Sequence, residues 1–202
     1  MFFITLSCVD RPRYTDRMSV RTPRSKPKPL DLSGLLEYSA RTLSIRAQTA
    51  SELREKLRRR AGKREDVEEV LGKLKEAGIL NDRHFAEAFA SWRRDNDGFG
   101  KTRVLRDLLS RRVSPDIAKE AADSVYAETD ETVLIQQFLA RKFRGKNLGV
   151  LLERENPDRD KNLASAYRKL RTAGFSAGNS IRVLKRYAAD ADRLEEIEEP
   201  AE

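Results

Sequence analysis

Between Pro29 and Pro200 the chain contains only two prolines, Pro115 and Pro157, and their placement constrains the fold more than any other feature. Proline fixes φ and removes a backbone donor, so it breaks a helix interior but is accommodated at the first helical position. Each of the two follows a residue suited to cap a helix, Ser114 and Asn156. Both prolines therefore mark helix starts, and the chain around them is open to continuous helix.

The apolar pattern agrees. Val67, Val70, Leu71 and Leu74 recur at spacings of three and four, which predicts a helix over Arg64 to Ala77 with Gly78 as its C-terminal cap. Gly72 inside it costs about 1 kcal/mol relative to alanine, which a close approach of two backbones would justify. Thr49 and Glu52 form a capping-box pair opening a helix with Leu53 and Leu57 inward. Asn81 or Asp82 caps a helix bearing Phe85, Phe89 and Trp92 on one stripe, ending near Arg94. Gly100 precedes a helix with Val104, Leu105, Leu108 and Leu109; Ser114 opens one with Ile117, Ala121 and Val125; a further helix carries Leu134, Phe138 and Leu139. No alternating pattern follows residue 30, so the expected class is all-α with no sheet.

Two internal matches suggest repetition. KLKEAGI (73–79) aligns with KLRTAGF (169–175), and LREKLRRR (53–60) aligns with LRDLLSRR (105–112). The offsets of 96 and 52 residues imply a unit of about 50 residues occurring three times, each of three helices too small to hide both faces without stacking. The expected boundaries are 31–80, 81–127 and 128–188.

Charge divides the chain in the same way. Residues 1–30 carry seven Lys/Arg against two acids and four of the seven prolines, a basic leader that cannot order itself. Met18 offers an alternative start within it. Residues 189–202 carry one basic residue against seven acids and read as a solvated acidic tail. The remainder is basic, 33 against 24, which favours association with a polyanion or an acidic groove. The opening MFFITLSCV lacks a preceding basic residue and is short for a signal peptide, and no other stretch approaches the roughly 18 apolar residues of a membrane span. A soluble, cytoplasmic protein is expected. Cys8 is the only cysteine, which excludes an intrachain disulfide and a cysteine-rich zinc site.

Catalytic constellations are weak. GFGKT (98–102) has the end of a phosphate-binding loop, but Asp95 stands where a glycine is needed and a helix precedes it, so a flexible interhelical turn is expected. His84 has no second histidine or cysteine to complete a metal site or triad. Glu65, Asp66, Glu68 and Glu69 fit a first turn and a solvated face, and Trp92 fits the core better than a base-stacking platform. No enzyme, metal or cofactor is expected.

The basic residues are the candidate site. They are Arg54, Arg58, Arg59 and Arg60 (with Lys56) in the first unit; Lys101, Arg103, Arg106, Arg111 and Arg112 in the second; and Arg141, Lys142, Arg144, Lys169, Arg171, Arg182, Lys185 and Arg186 (with Lys146 and Arg168) in the third. Recurrence of LRxxLxRR on successive stacked units would line arginines into a stripe suited to an extended anionic partner.

LNDRHFAEAF (80–89), then Gly100 opening RVLRDLLSRR, then VSPDIAKEA (113–121) resembles the RecX regulatory family. SELREKLRRR with VLGKLKEAG upstream, and FLARKF with YRKLRTAGFSAGNSIRVLKRY downstream, extend the resemblance over 31–188. It implies three tandem three-helix repeats in an elongated, curved, right-to-left array. The implied protein is a cytoplasmic monomer without catalysis, with the RecA recombinase filament on single-stranded DNA as partner. It would inhibit strand exchange and SOS-repressor cleavage, in the control of recombination and DNA repair, with weak direct DNA contact and no membrane. Asn81 stands where an acid is commoner, Arg112 replaces a glycine, and GKNLGVLLERE (145–155) lengthens the third repeat. The alternative is a direct DNA binder of helix-turn-helix type, against which stands the lack of a helix rich in Asn, Gln and Arg for reading base edges.

Overall fold

The computed structural model describes residues 28–194; the basic leader up to residue 27, with Met18 and Cys8, and the tail from residue 195 lie outside them. The described residues form α1 (Leu32–Ile45), α2 (Ala50–Arg58), α3 (Arg64–Glu76), α4 (Asp82–Trp92), α5 (Lys101–Ser110), α6 (Pro115–Tyr126), α7 (Glu131–Lys142), α8 (Leu148–Leu151), α9 (Arg159–Thr172) and α10 (Ala177–Leu184). A π-helical turn (Arg93–Asp97) extends α4, and a 3-10 turn (Ala191–Leu194) follows α10. Among the described residues no strand forms; Leu30 and Ala61 make a single isolated bridge.

Burial divides these helices into three groups. Leu35, Leu53, Leu57, Val67, Val70 and Leu71 unite α1, α2 and α3. Phe85, Ala86, Val104, Leu108, Ala118 and Ala121 unite α4, α5 and α6. Ile135, Phe138, Leu163, Leu170, Phe175 and Leu184 unite α7, α9 and α10, with Leu148 of the short α8 tucked beneath. Each group has a core of its own, and the third is the largest.

Local chemistry sets the helix ends. The Thr49 hydroxyl accepts from the Glu52 N–H at 3.0 Å while the Glu52 carboxylate accepts from the Thr49 N–H, completing the capping box. Asn81 caps α4 by accepting from the His84 N–H at 3.0 Å. Pro115 is the first residue of α6. Pro157, by contrast, precedes α9 by two residues: Asn156 accepts from the Asp158 N–H in a turn of its own, and the helix starts at Arg159. Gly78 and Gly174 leave α3 and α9 with φ of 71° and 88°, a region open to glycine and strained for other residues. Arg112 occupies the same region at the end of α5, with φ of 61°.

Several expectations need correction. Gly72 faces open space, so no backbone approaches it. The packed chain starts at Leu30, whose N–H donates to the Arg60 carbonyl at 2.7 Å. It ends later than residue 188, because Ala191 and Leu194 are buried and Asp190 pairs with Arg159. Apolar residues at those two positions outweigh the acidic composition around them.

The internal matches also pair non-equivalent positions. Helix α2 buries Leu53 and Leu57, whereas α5 buries Val104 and Leu108 and leaves Leu109 largely open. The equivalent offset of these two helices is therefore 51 rather than 52 residues, as their N-caps Thr49 and Gly100 agree. One residue is about 100° around a helix, so LREKLRRR and LRDLLSRR present their arginines on different faces. Likewise KLKEAG ends the third helix of its group and KLRTAG the middle helix of its own.

Candidate functional site

The junctions between groups consume many of the basic side chains. Arg111 lies 5.1 Å from the ring centres of both Phe85 and Phe89 and reaches Glu52 of α2 at 3.4 Å; Arg112 approaches Glu55 at 4.0 Å. Beside them the Thr49 hydroxyl donates to the Arg111 carbonyl at 3.0 Å, and the Ala50 N–H donates to the Asp82 carboxylate at 2.7 Å. This polar clasp joins the first group to the second. Glu52, Glu55 and Asp82 were not legible as junction residues, because their partners lie in another helix group.

The second junction is closer. The Gly100 N–H donates to the Ala173 carbonyl at 2.8 Å. A Cβ on Gly100 would collide with the Gly174 carbonyl, and one on Gly174 with the Arg103 backbone. Arg141 donates to the Asn96 carbonyl at 2.6 Å, and Phe99 and Tyr126 pack against both the second and third cores. Burial pushes the Tyr126 phenol well above its usual range, and its hydroxyl donates to the Phe99 carbonyl at 2.6 Å. The GFGKT segment is thus a pinned contact and not the flexible turn expected from its glycines; Lys101 pairs with Asp123 at 2.7 Å.

Within the first group Arg54 and Arg58 share Glu68, Arg59 pairs with Glu55, and Arg60 lies 5.3 Å from the Tyr38 ring centre. The Arg54 guanidinium holds the Glu68 carboxyl below its usual range, as Arg59 does for Glu55. Arg106, Arg144, Arg182, Lys185 and Arg186 are exposed, and Arg171 donates to the Phe175 carbonyl at 2.6 Å. The expected continuous stripe is therefore divided, in part because of the one-residue register shift between α2 and α5.

Among the described residues, two places gather four cations each with no Asp or Glu among their lining residues, and one of them, beside Tyr38, holds Arg41, Arg46, Lys56 and Arg60. The other, a cleft of about 500 Å³ between α5, α7 and α9, is lined by Arg103, Lys142, Arg168 and Lys169, with Phe99 and Phe138 in its wall. Arg103 sits 5.4 Å from the Phe99 ring centre and donates to Asp107 at 3.1 Å; Asp107 also meets Arg93 at 3.3 Å. Lys142 and Lys169 lie 5.6 and 4.7 Å from the Phe138 and Phe143 rings. Ring faces attract cations without neutralising them, so Lys142 and Lys169 keep the cleft positive although Asp107 offsets the charge of Arg103. Such a site suits a multi-oxygen anion such as phosphate. Phe99 as a wall of this cleft is not legible in the sequence, since its contact with α9 spans distant helices. Trp92, expected in the core, is 53% exposed and lies on the opposite junction. His84 is exposed on α4 beside it. Among the described residues no cluster of His, Cys, Asp and Glu is arranged to hold a metal, and no helix is long and apolar enough to cross a membrane.

Comparison with known proteins bears on this geometry. A family model described as RecX, second three-helix domain, matches residues 81–121. Regulatory protein RecX of Amycolatopsis mediterranei is 32% identical over 158 residues, a stretch covering 76% of this chain and 85% of that protein. The chain belongs to the RecX family. Regulatory protein RecX of Deinococcus radiodurans is 34% identical over 161 residues, 80% of this chain and 71% of that protein. The fold agrees as well. The crystal structure of RecX from Lactobacillus salivarius superposes with a TM-score of 0.57 at 19% identity, over 77% of this chain and 96% of that one. A crystal structure of a regulatory protein RecX gives 0.60 at 19% identity, over 75% of this chain and 72% of that one. The relatives' names describe regulators, and the chain shares their all-α repeated architecture.

Proposed function

We propose that this RecX-family chain binds a RecA filament assembled on single-stranded DNA and restrains its recombinase and coprotease activities, acting in the cytoplasm as a monomer and without catalysis of its own. The observation that carries this reading is the cleft of Arg103, Lys142, Arg168 and Lys169, which no Asp or Glu lines, Arg103 being paired with Asp107 of its own helix, in a member of a regulatory family. In this reading the cleft meets filament phosphates, and the exposed Arg106, Arg144, Arg182, Lys185 and Arg186 add longer-range attraction. Arg54, Arg58, Arg59, Arg60, Lys101, Arg111, Arg112, Arg141 and Arg171 contribute through the shape they maintain as well as through charge. The repeats run over 31–80, 81–127 and 128–188, the third carrying its packed extension to residue 194.

The test is binding of the full chain to RecA filaments held by a slowly hydrolysed nucleotide, beside the same single-stranded DNA without RecA. Preference for the filament, with inhibition of strand exchange at matching concentrations, supports the proposal. Equal affinity for naked DNA refutes it and favours a direct DNA binder, for which affinity falls steeply with salt.

A further inference from the structure

A second, larger concavity lies at the other junction. A groove of about 950 Å³ runs between the end of α1 and the outer face of α4, walled by Leu43, Ala47, Ile79, Ala88, Phe89 and Trp92. Ile79 and Trp92 are 61% and 53% exposed, and large apolar side chains clustered in an open groove mark an interaction surface more than a solvated one. Arg46 and Arg111 also line the groove, and no Asp or Glu does. Arg111 already holds Glu52 at 3.4 Å, whereas Arg46 is exposed at the edge.

Gln48 borders both this groove and the concavity lined by Tyr38 and Arg60. It is 4% exposed. Its amide nitrogen donates to the Thr42 carbonyl at 3.0 Å, while its buried Oε1 accepts no hydrogen bond. Buried acceptors are rarely left without a donor. Apolar walls with a cation at the rim and no lining carboxylate describe an occupant: an apolar side chain next to a carboxylate. A nucleic-acid backbone fits poorly, because most of the wall is hydrocarbon and aromatic ring.

We propose that this groove seats an apolar anchor residue of a protein partner, with an adjacent acidic residue paired to Arg46. The inference rests on the reading above that the partner is a protein filament, and it separates the roles of the two concavities: the α5/α7/α9 cleft takes phosphate and the α1/α4 groove takes protein.

Two measurements test it. The first uses anilinonaphthalene sulfonate, an apolar aromatic probe carrying one anionic group, on the full chain. Trp92 is the only tryptophan, so energy transfer from it to the dye that persists in Lys142→Glu with Lys169→Glu reports this groove and not the cationic cleft. Saturable binding is expected, weakened about tenfold by Ala88→Glu and several-fold by Arg46→Glu. Ala88 is exposed on α4, and unchanged helical circular dichroism verifies that the variant folds. Dye binding that is absent, or insensitive to Ala88→Glu, overturns the groove as a site. The second measures filament binding: Ala88→Glu and Arg46→Glu are expected to weaken it about tenfold while leaving naked-DNA binding unchanged. Unchanged filament binding overturns the assignment of a protein anchor. Failure of the unaltered chain to bind filaments sinks the functional reading alone, and the dye arm then decides the groove.

Discussion

Replacing Arg112 by glycine is expected to stabilise the protein, although it deletes an ion pair. Arg112 leaves α5 with φ of 61°, where an L side chain costs about 1–2 kcal/mol because Cβ crowds the following carbonyl. Glycine removes that strain but gains about 0.5–1 kcal/mol of unfolded-state freedom. The deleted ion pair joins Arg112 to Glu55 at 4.0 Å between side chains 66% and 42% exposed, and a solvent-screened pair at that separation contributes little. The balance is a gain of about 0.5 kcal/mol, or roughly 1–2 °C in Tm for a domain of this size. Thermal unfolding followed by helical circular dichroism measures it. Arg112→Ala is the control, since it deletes the same ion pair and keeps the Cβ; no gain is expected. If alanine stabilises as much as glycine, or glycine lowers the midpoint, the strain argument is wrong.

The other glycines allow sharper contrasts. Gly72→Ala, on a face with open space, should raise stability by about 1 kcal/mol through helix propensity, whereas Gly174→Ala, with φ of 88° and the Arg103 backbone against it, should lower it by about 2 kcal/mol or more; denaturant midpoints of the two variants should move in opposite directions. Acid should destabilise the fold. The carboxyls of Glu68 and Glu55 are held below 4.5, and those of Asp123 and Asp130 below 3.8, by hydrogen bonds to Arg54, Arg59, Lys101 and Thr132 respectively. A depressed folded value contributes stability that is complete above the unfolded pKa and is lost as pH falls through the folded one. Tm should therefore be flat near neutrality and decline below about pH 4.5; a rise on acidification would contradict these pairings.

Much of the fold was legible because its signals are local. The Thr49–Glu52 pair, the Asn81 cap, Pro115 and the Val67, Val70, Leu71, Leu74 face each depend on residues within a turn or two, and the structure places them as the pattern predicts. Trp92 shows the limit of periodicity. Its spacing puts it on the stripe of Phe85 and Phe89, but whether a stripe is covered at its end depends on another helix, and here α1 stops short and leaves a groove. The basic stripe failed for a related reason: a match of LRxxLxRR sets letters in register, whereas burial of Val104 and Leu108 sets the helix one residue away. The cleft was half visible. Arg103, Lys142, Arg168 and Lys169 stood among the candidates, yet the Gly100–Gly174 contact, formed across distant residues, is what brings their helices together around one space.

The central claim is that this cleft engages an anionic filament, and reversing two of its charges tests it most directly. Lys142 and Lys169 are exposed, so Lys142→Glu with Lys169→Glu should leave the fold intact. Binding to RecA filaments, measured across a salt series, should weaken by about tenfold or more, with a shallower salt dependence than the unaltered chain. Filament affinity and salt slope that both remain unchanged in the folded double variant would contradict the account.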